Sequence, residues 1–217
     1  MRIIFLIFSL FISIGLSFAY GGEQSSWRTE IYENPYFSVG YDIRSELLTG
    51  YLAALRTAPG ETNECKLFFK GEGYSKRKIS ISIADATSRQ SPSNRVIGQL
   101  EIKSNNFKLT VNKSQLPGDC DWVLPFVGYP AVEEKNGQIV VTISPTVQGD
   151  WRAVGVVQAK KAYFHQAPDE TTVQKAYLVS GDILHIYDET PGWYFVKFKG
   201  RKKEVVGWVK VRDTIQF

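Results

Sequence analysis

From Tyr36 onward the chain is a series of short runs that alternate apolar with small or polar residues. Clusters of Gly, Pro, Asn and Ser separate most of these runs. Alternation at period two marks a strand with one buried face, whereas a helix needs apolar residues three and four apart. No ten-residue window carries a helical stripe with caps. Phe37-Ser38-Val39-Gly40-Tyr41-Asp42-Ile43 is the clearest alternating run, and Cys65–Lys70, Ile79–Ala84, Val96–Lys103, Phe107–Asn112 and Ile139–Ser144 follow it. Leu47–Leu55, apolar around Gly50, fits a bulged strand or a short helix, because periodicity does not separate the two. Asn105-Asn106 and Asn136-Gly137 are hairpin signals, the second stronger because both of its residues tolerate positive φ. Short strands at even spacing predict an all-β fold: a β-sandwich or barrel over residues 36–150, then a smaller barrel over 154–217. Asp150-Trp151-Arg152 joins the two with almost no linker, which implies a defined relative orientation.

The N-terminus predicts export. Arg2 precedes an apolar run from Ile3 to Leu16, and Ser17-Phe18-Ala19 places small residues where a signal peptidase cuts. Residues 1–19 are therefore read as a signal peptide cleaved after Ala19. The run is short for a bilayer span of about 20 residues, so no stable membrane span is expected after cleavage. Residues 20–35, polar with Gly and Ser, read as a flexible lead-in. The remaining 217 − 19 = 198 residues suffice for one large or two small domains. The two cysteines, Cys65 and Cys120, are most simply one disulfide in an exported chain.

The chain carries a formal net charge of +4, and losing Arg2 lowers it to +3. Lys76-Arg77-Lys78 and Arg201-Lys202-Lys203 are short basic clusters of the kind found at solvated turns. Acidic residues interleave with the basic ones, which argues against a dedicated nucleic-acid surface.

Four phrases stand out near the C-terminus. They are Ala162-Tyr163-Phe164-His165-Gln166-Ala167-Pro168-Asp169, Ala176-Tyr177-Leu178-Val179-Ser180-Gly181-Asp182, Gly192-Trp193-Tyr194-Phe195-Val196-Lys197-Phe198 and Val206-Gly207-Trp208-Val209-Lys210. In this order and spacing the segment resembles the bacterial SH3-like (SH3b) domain family. The resemblance covers about the last 60 residues and implies a five-stranded SH3-like barrel that binds a wall component or a protein and does not catalyse. Trp193 after Gly192 and Trp208 after Gly207 stand at the family's signature positions. Where the family pattern usually carries Arg or Asn, this chain has Phe164-His165, so the resemblance does not carry a particular peptide-crossbridge ligand with it.

A barrel this small holds one row of side chains per strand inside. That row is expected to be Tyr177, Leu178, Leu184, Ile186, Val196, Phe198 and Val209, with His165 on an exposed strand position. The remaining aromatics exceed what one row can bury. Trp193 and Trp208 suit both framework packing and a ligand groove, while Tyr163, Tyr187 and Tyr194 suit an exposed aromatic face. These five are the candidate ligand-binding residues.

Catalytic constellations are not evident. Residues 36–149 contain no His, and both His165 and His185 lie in the C-terminal unit. A Cys–His nucleophile, or a Ser–His–Asp triad confined to the first unit, is thereby disfavoured. Two histidines without metal-ligand spacing do not make a zinc site. A pair of carboxylates would satisfy a glycosidase, but no pair is singled out among many surface acids. Asp119 and Asp121 flank Cys120 on one face of what reads as a strand or turn. No metal and no cofactor are expected.

The sequence thus predicts an exported, non-enzymatic binding protein, periplasmic or secreted. Its partner is expected to be a protein or peptidoglycan, with no nucleic acid. The alternative expectation is an inhibitor or immunity protein that blocks a wall-degrading enzyme.

Overall fold

The computed structural model describes residues 29–31, 36–42, 44–73, 78–86, 96–103, 106–126, 132–144, 149–199 and 204–215. Residues 1–19, read as a signal peptide, and residues 20–28, Asn105, Lys76-Arg77 and Arg201-Lys202-Lys203 lie outside the described residues.

The all-β expectation holds, in two antiparallel sheets. The first contains β1 (Thr29–Ile31), β2 (Tyr36–Asp42), β3 (Leu47–Ala58), β4 (Glu61–Glu72), β5 (Lys78–Asp85), β6 (Val96–Lys103), β7 (Asn106–Asn112), β8 (Val132–Lys135) and β9 (Gln138–Ile143). Their order is β1-β2-β3-β4-β5-β6-β7-β9-β8, a meander finished by one hairpin. Thr29–Ile31 falls in the stretch read as a flexible lead-in, yet it pairs with β2 through Thr29↔Val39 and Ile31↔Phe37. Backbone pairing holds it there, a signal that polar composition does not carry. Leu47–Leu55 is a strand and not a helix. Gly50 makes no bulge there; a Cβ at this position would overlap the Phe69 ring on the next strand.

Alternate residues of these strands fill one interior. Phe37, Val39, Leu52, Leu67, Phe69, Ile81, Ile83, Leu100, Leu109 and Val141 belong to a single buried cluster. The sheet curls around it. Phe37 on β2 and Phe107 on β7 meet with ring centroids 5.9 Å apart, although four strands stand between them in the sheet. The first unit is therefore one curled sheet and not a two-layer sandwich. A short helix α1 (Cys120–Val123) closes one end and ties to β4 through the Cys65–Cys120 disulfide. Asp119 consequently stands at the N-cap of α1 and Asp121 within its first turn, so they do not share a strand face.

The second sheet contains β10 (Ala153–Val156), β11 (Lys161–His165), β12 (Val173–Val179), β13 (Ile183–Thr190), β14 (Trp193–Lys199) and β15 (Glu204–Lys210). The order is β10-β13-β14-β15-β11-β12, six strands where five were expected. Val157, Ala162, Phe164, Leu178, Leu184, Ile186, Val196 and Val209 form its buried core.

Two inward or outward assignments need correction. Tyr177 and Leu178 are neighbours on one strand and cannot both point inward; Leu178 is buried and Tyr177 is 46% exposed. His165 is buried and not exposed. A register shift between Tyr163 and His165 breaks the simple alternation there. Gly207 on β15 pairs with Val196 on β14. A Cβ on it would lie 2.7 Å from the His165 carbonyl oxygen, so this glycine admits the β11 backbone.

The sheets pack through a seam of Tyr51, Phe68, Ala86, Trp151, Val154 and Val156. The backbone N–H of Val154 donates to Thr49 Oγ1 at 2.7 Å. Gly40 lets β10 approach: a Cβ there would sit 2.8 Å from Ala153 Cα.

Candidate binding faces of the second sheet

Strand alternation sorts the candidate aromatics. On β14, Val196 is buried in the core and Tyr194 and Phe198 pack against it. Trp193, Phe195 and Lys197 occupy the alternate, outward positions. Pairing then sets Phe195 opposite Trp208, Trp193 opposite Lys210, and Trp208 opposite His165. The Phe195 and Trp208 rings lie 5.3 Å apart, tilted by 55°. His165 meets Trp193 edge-on at 4.7 Å. The result is a half-buried aromatic floor of Trp193, Phe195 and Trp208 beside a buried imidazole.

A charged edge borders this floor. Lys210 Nζ stands 5.6 Å from the Trp193 ring centroid and 2.9 Å from Glu170 Oε1. Arg212 reaches the same Glu170 oxygen at 3.2 Å. The hydrogen bond from Lys210, and then the charges of Lys210 and Arg212, hold the Glu170 carboxyl below its ordinary pKa. The neighbouring Asp169 accepts from the Thr171 backbone N–H at 2.7 Å, which lowers its own pKa and shapes the turn. Through its carbonyl, Asp169 also holds the His165 ring, at 2.9 Å from Nδ1.

Beyond Trp208 the outward face continues onto β11 and β12. Tyr163 and Tyr177 sit opposite each other in the pairing, their rings 5.6 Å apart. Lys161 Nζ lies 4.4 Å over the Tyr177 ring. Val173 and Val179, at even spacing from Tyr177 on the same strand, are 56% and 45% exposed. β12 is the terminal strand of the sheet among the described residues.

The five predicted residues therefore divide. Trp193 and Trp208 share the aromatic floor, and Tyr163 belongs to the exposed strip on the same side. Tyr194 points inward, where burial and then the Glu189 charge raise its hydroxyl pKa. Tyr187 packs into the seam with Lys197 Nζ 4.2 Å over its ring. Sequence reasoning missed Phe195, Tyr177 and His165. Strict alternation finds the first two: Phe195 follows Trp193 by two, and an inward Leu178 forces Tyr177 out. His165 has no comparable signal, since its burial depends on the register shift.

Two other features bear on chemistry. Ser38 Oγ and His185 Nε2 share a hydrogen bond of 3.1 Å across the seam. Ser38 is 0% exposed, so this hydroxyl offers a substrate no approach. On the first unit, Trp122 of α1 is 51% exposed and lies against the Arg56 guanidinium, 3.7 Å from the ring centroid.

Among the described residues no group of three or more His, Cys, Asp or Glu is placed to hold a metal ion, and no helix is long and apolar enough to cross a membrane. No protein-family model matches the chain, and neither a curated protein nor a solved structure matches it.

Proposed function

We propose that this chain is an exported, non-enzymatic binding protein whose second sheet takes an extended segment of a partner protein along β12. One observation carries the reading. The terminal strand presents Val173, Tyr177 and Val179 outward with Lys175 among them, Tyr163 beside them and Lys161 over the Tyr177 ring. A strand end-on to solvent normally protects itself with charge, proline or a bulge. β12 has a register shift and Lys175, and its exposed Val173, Tyr177 and Val179 suit strand addition, where backbone bonds supply affinity and alternate side chains supply selectivity. The aromatic floor of Trp193, Phe195 and Trp208 extends that surface at low entropy cost. The export reading of residues 1–19 places the partner in the periplasm, and the Cys65–Cys120 disulfide agrees with an oxidising compartment.

The test is selection of extended peptides against the purified protein, read by amide chemical shifts. Binders should perturb β12 and β11 and lose affinity in a folded Tyr177→Ala/Val179→Lys variant. Co-sedimentation with purified peptidoglycan that such peptides fail to displace would replace the protein partner with a wall ligand.

A second reading, inhibition of a wall-degrading enzyme, is favoured by Trp122. A half-exposed tryptophan on a disulfide-tied turn is a preorganised anchor that loses little entropy on binding. It predicts that Trp122→Ala weakens capture of a wall hydrolase, whereas Tyr177→Ala does not.

A further inference from the structure

The outward face of the first sheet carries a trough of about 460 Å³ over β5, β6, β7 and the β8–β9 hairpin. Its charge is one-sided. Lys78, Lys108 and Lys135 line it against one carboxylate, Glu101, which gives 3 − 1 = +2. Glu101 is already occupied from outside the trough, by Lys103 Nζ at 3.1 Å. That hydrogen bond, and then the charges of Lys103, Lys78 and Lys108, keep its pKa below the ordinary value. Among the described residues, none of the three lining lysines is in an ion pair. Glu133, opposite Val140 on β8, stands outside the lining.

The register places these cations at two ends. Lys78, Glu101 and Lys108 face one another across three adjacent strands, so the two lysine Cα atoms lie about 10 Å apart at ordinary strand spacing. Lys135 pairs with Gln138, which pairs with Asn112, four residues along β7 from Lys108 and so about 13 Å down the strand. Between the ends lies a cross-strand row of Ser80, Gln99 and Thr110 that reaches Val140 on β9, while Asn112 and Gln138 share the row of Lys135. Amide side chains and hydroxyls both donate and accept hydrogen bonds. Apolar side chains are few, with Ile97 the exposed one. Among the described residues no aromatic ring lines the trough to stack a nucleic-acid base, and its lining is largely polar, without an apolar pocket for a peptide anchor.

We infer that this trough binds an acidic oligosaccharide: Lys78, Lys108 and Lys135 hold its carboxylates, and the Ser80–Gln99–Thr110 row holds its hydroxyls. Ile97 offers the small apolar contact that a sugar ring's C–H face needs. This site is separate from the β12 surface and stands whether or not the second sheet binds a peptide.

The test is titration of the purified protein with oligogalacturonate, which carries a carboxylate on every sugar. Comparison probes are neutral maltooligosaccharide, polyglutamate, and phosphatidylglycerol vesicles. Oligogalacturonate should shift amides of β6, β7 and β9, and rising salt should weaken it. Lys108→Gln/Lys135→Gln should raise its Kd about tenfold. Ser80→Ala/Gln99→Ala should weaken the sugar polymer but leave any residual polyglutamate binding unchanged, which separates hydroxyl recognition from charge alone. Equal affinity for the neutral glycan or for polyglutamate, an unchanged Kd in the lysine variant, or binding to vesicles alone would each overturn the inference. Because these probes and variants share nothing with those for β12, failure here leaves the second sheet's proposed role intact.

Discussion

Trp151 lies flat on His185, with ring centroids 4.1 Å apart and planes 20° from parallel. Its indole N–H also donates to the Val39 carbonyl at 3.1 Å, so one side chain grips both sheets. Trp151→Ala should therefore cost about 3–5 kcal/mol, the range for removing a buried large aromatic. Trp151→Phe keeps most of the packing and loses the hydrogen bond, at about 1 kcal/mol. Denaturant unfolding followed separately by probes in each sheet checks this. The alanine variant should split one transition into two, and a single unshifted transition would contradict the seam's role.

The seam also depends on an absent side chain. Gly40→Ala would push a methyl into the β10 backbone, 2.8 Å from Ala153 Cα and 2.9 Å from Arg152 O. Backbone cannot rotate away as a flexible side chain can, so the expected loss is about 1–3 kcal/mol. Protease cleavage near Arg152 should accelerate in this variant.

The Cys65–Cys120 bond spans a sequence separation of 55. Cys65→Ala/Cys120→Ala should lower stability by about 4 kcal/mol on the chain-entropy account. Equilibrium unfolding in oxidised and mutant forms measures it. Loss of less than about 1 kcal/mol would mean that the core packing around α1 holds this end unaided.

Alternation on β12 makes a paired prediction. Leu178→Ala, in the core, should cost about 2–5 kcal/mol. Tyr177→Ala, half exposed on the opposite face, should cost far less and act on binding. Thermal melts of the two variants give the comparison, and equal losses would place Tyr177 inside the core after all.

Tyr51 sets an alkaline limit. Burial, and then the charges of Glu64 and Asp85, push its hydroxyl pKa well above the ordinary tyrosine value. The native state therefore keeps this proton when the unfolded chain releases it, near pH 10. Stability falls as pH rises wherever the native state holds more protons, so the contribution is complete below about pH 10 and is lost above it. Tyr51→Phe should flatten that alkaline decline in urea midpoints, and an unchanged slope would reject the assignment.

Much of the architecture is legible in the residues because alternation is a local property. The runs beginning at Phe37, Ile79, Phe107 and Ile139 each declare a strand and its buried face. The cysteine pair was also legible, since a chain with two cysteines has one possible intramolecular pairing. The candidate face was legible only in part. Trp193, Trp208 and Tyr163 lie on the outward side as a ligand face requires, while Tyr194 and Tyr187 turned to packing. Aromatic identity alone does not separate a ring that covers a core from one that covers nothing.

The sequence by itself determined the all-β class, the disulfide partners and the buried side of the clearest alternating strands, all of which rest on period two and on composition. Only the tertiary structure decided that the first sheet curls until Phe37 meets Phe107, that Thr29–Ile31 joins it, and that His165 is buried past a register shift. The seam belongs to the same class. Trp151 contacts Val39 across 112 positions of sequence, and Ser38 meets His185 across 147. Contacts at such separations depend on how whole sheets twist and close, which no local pattern encodes.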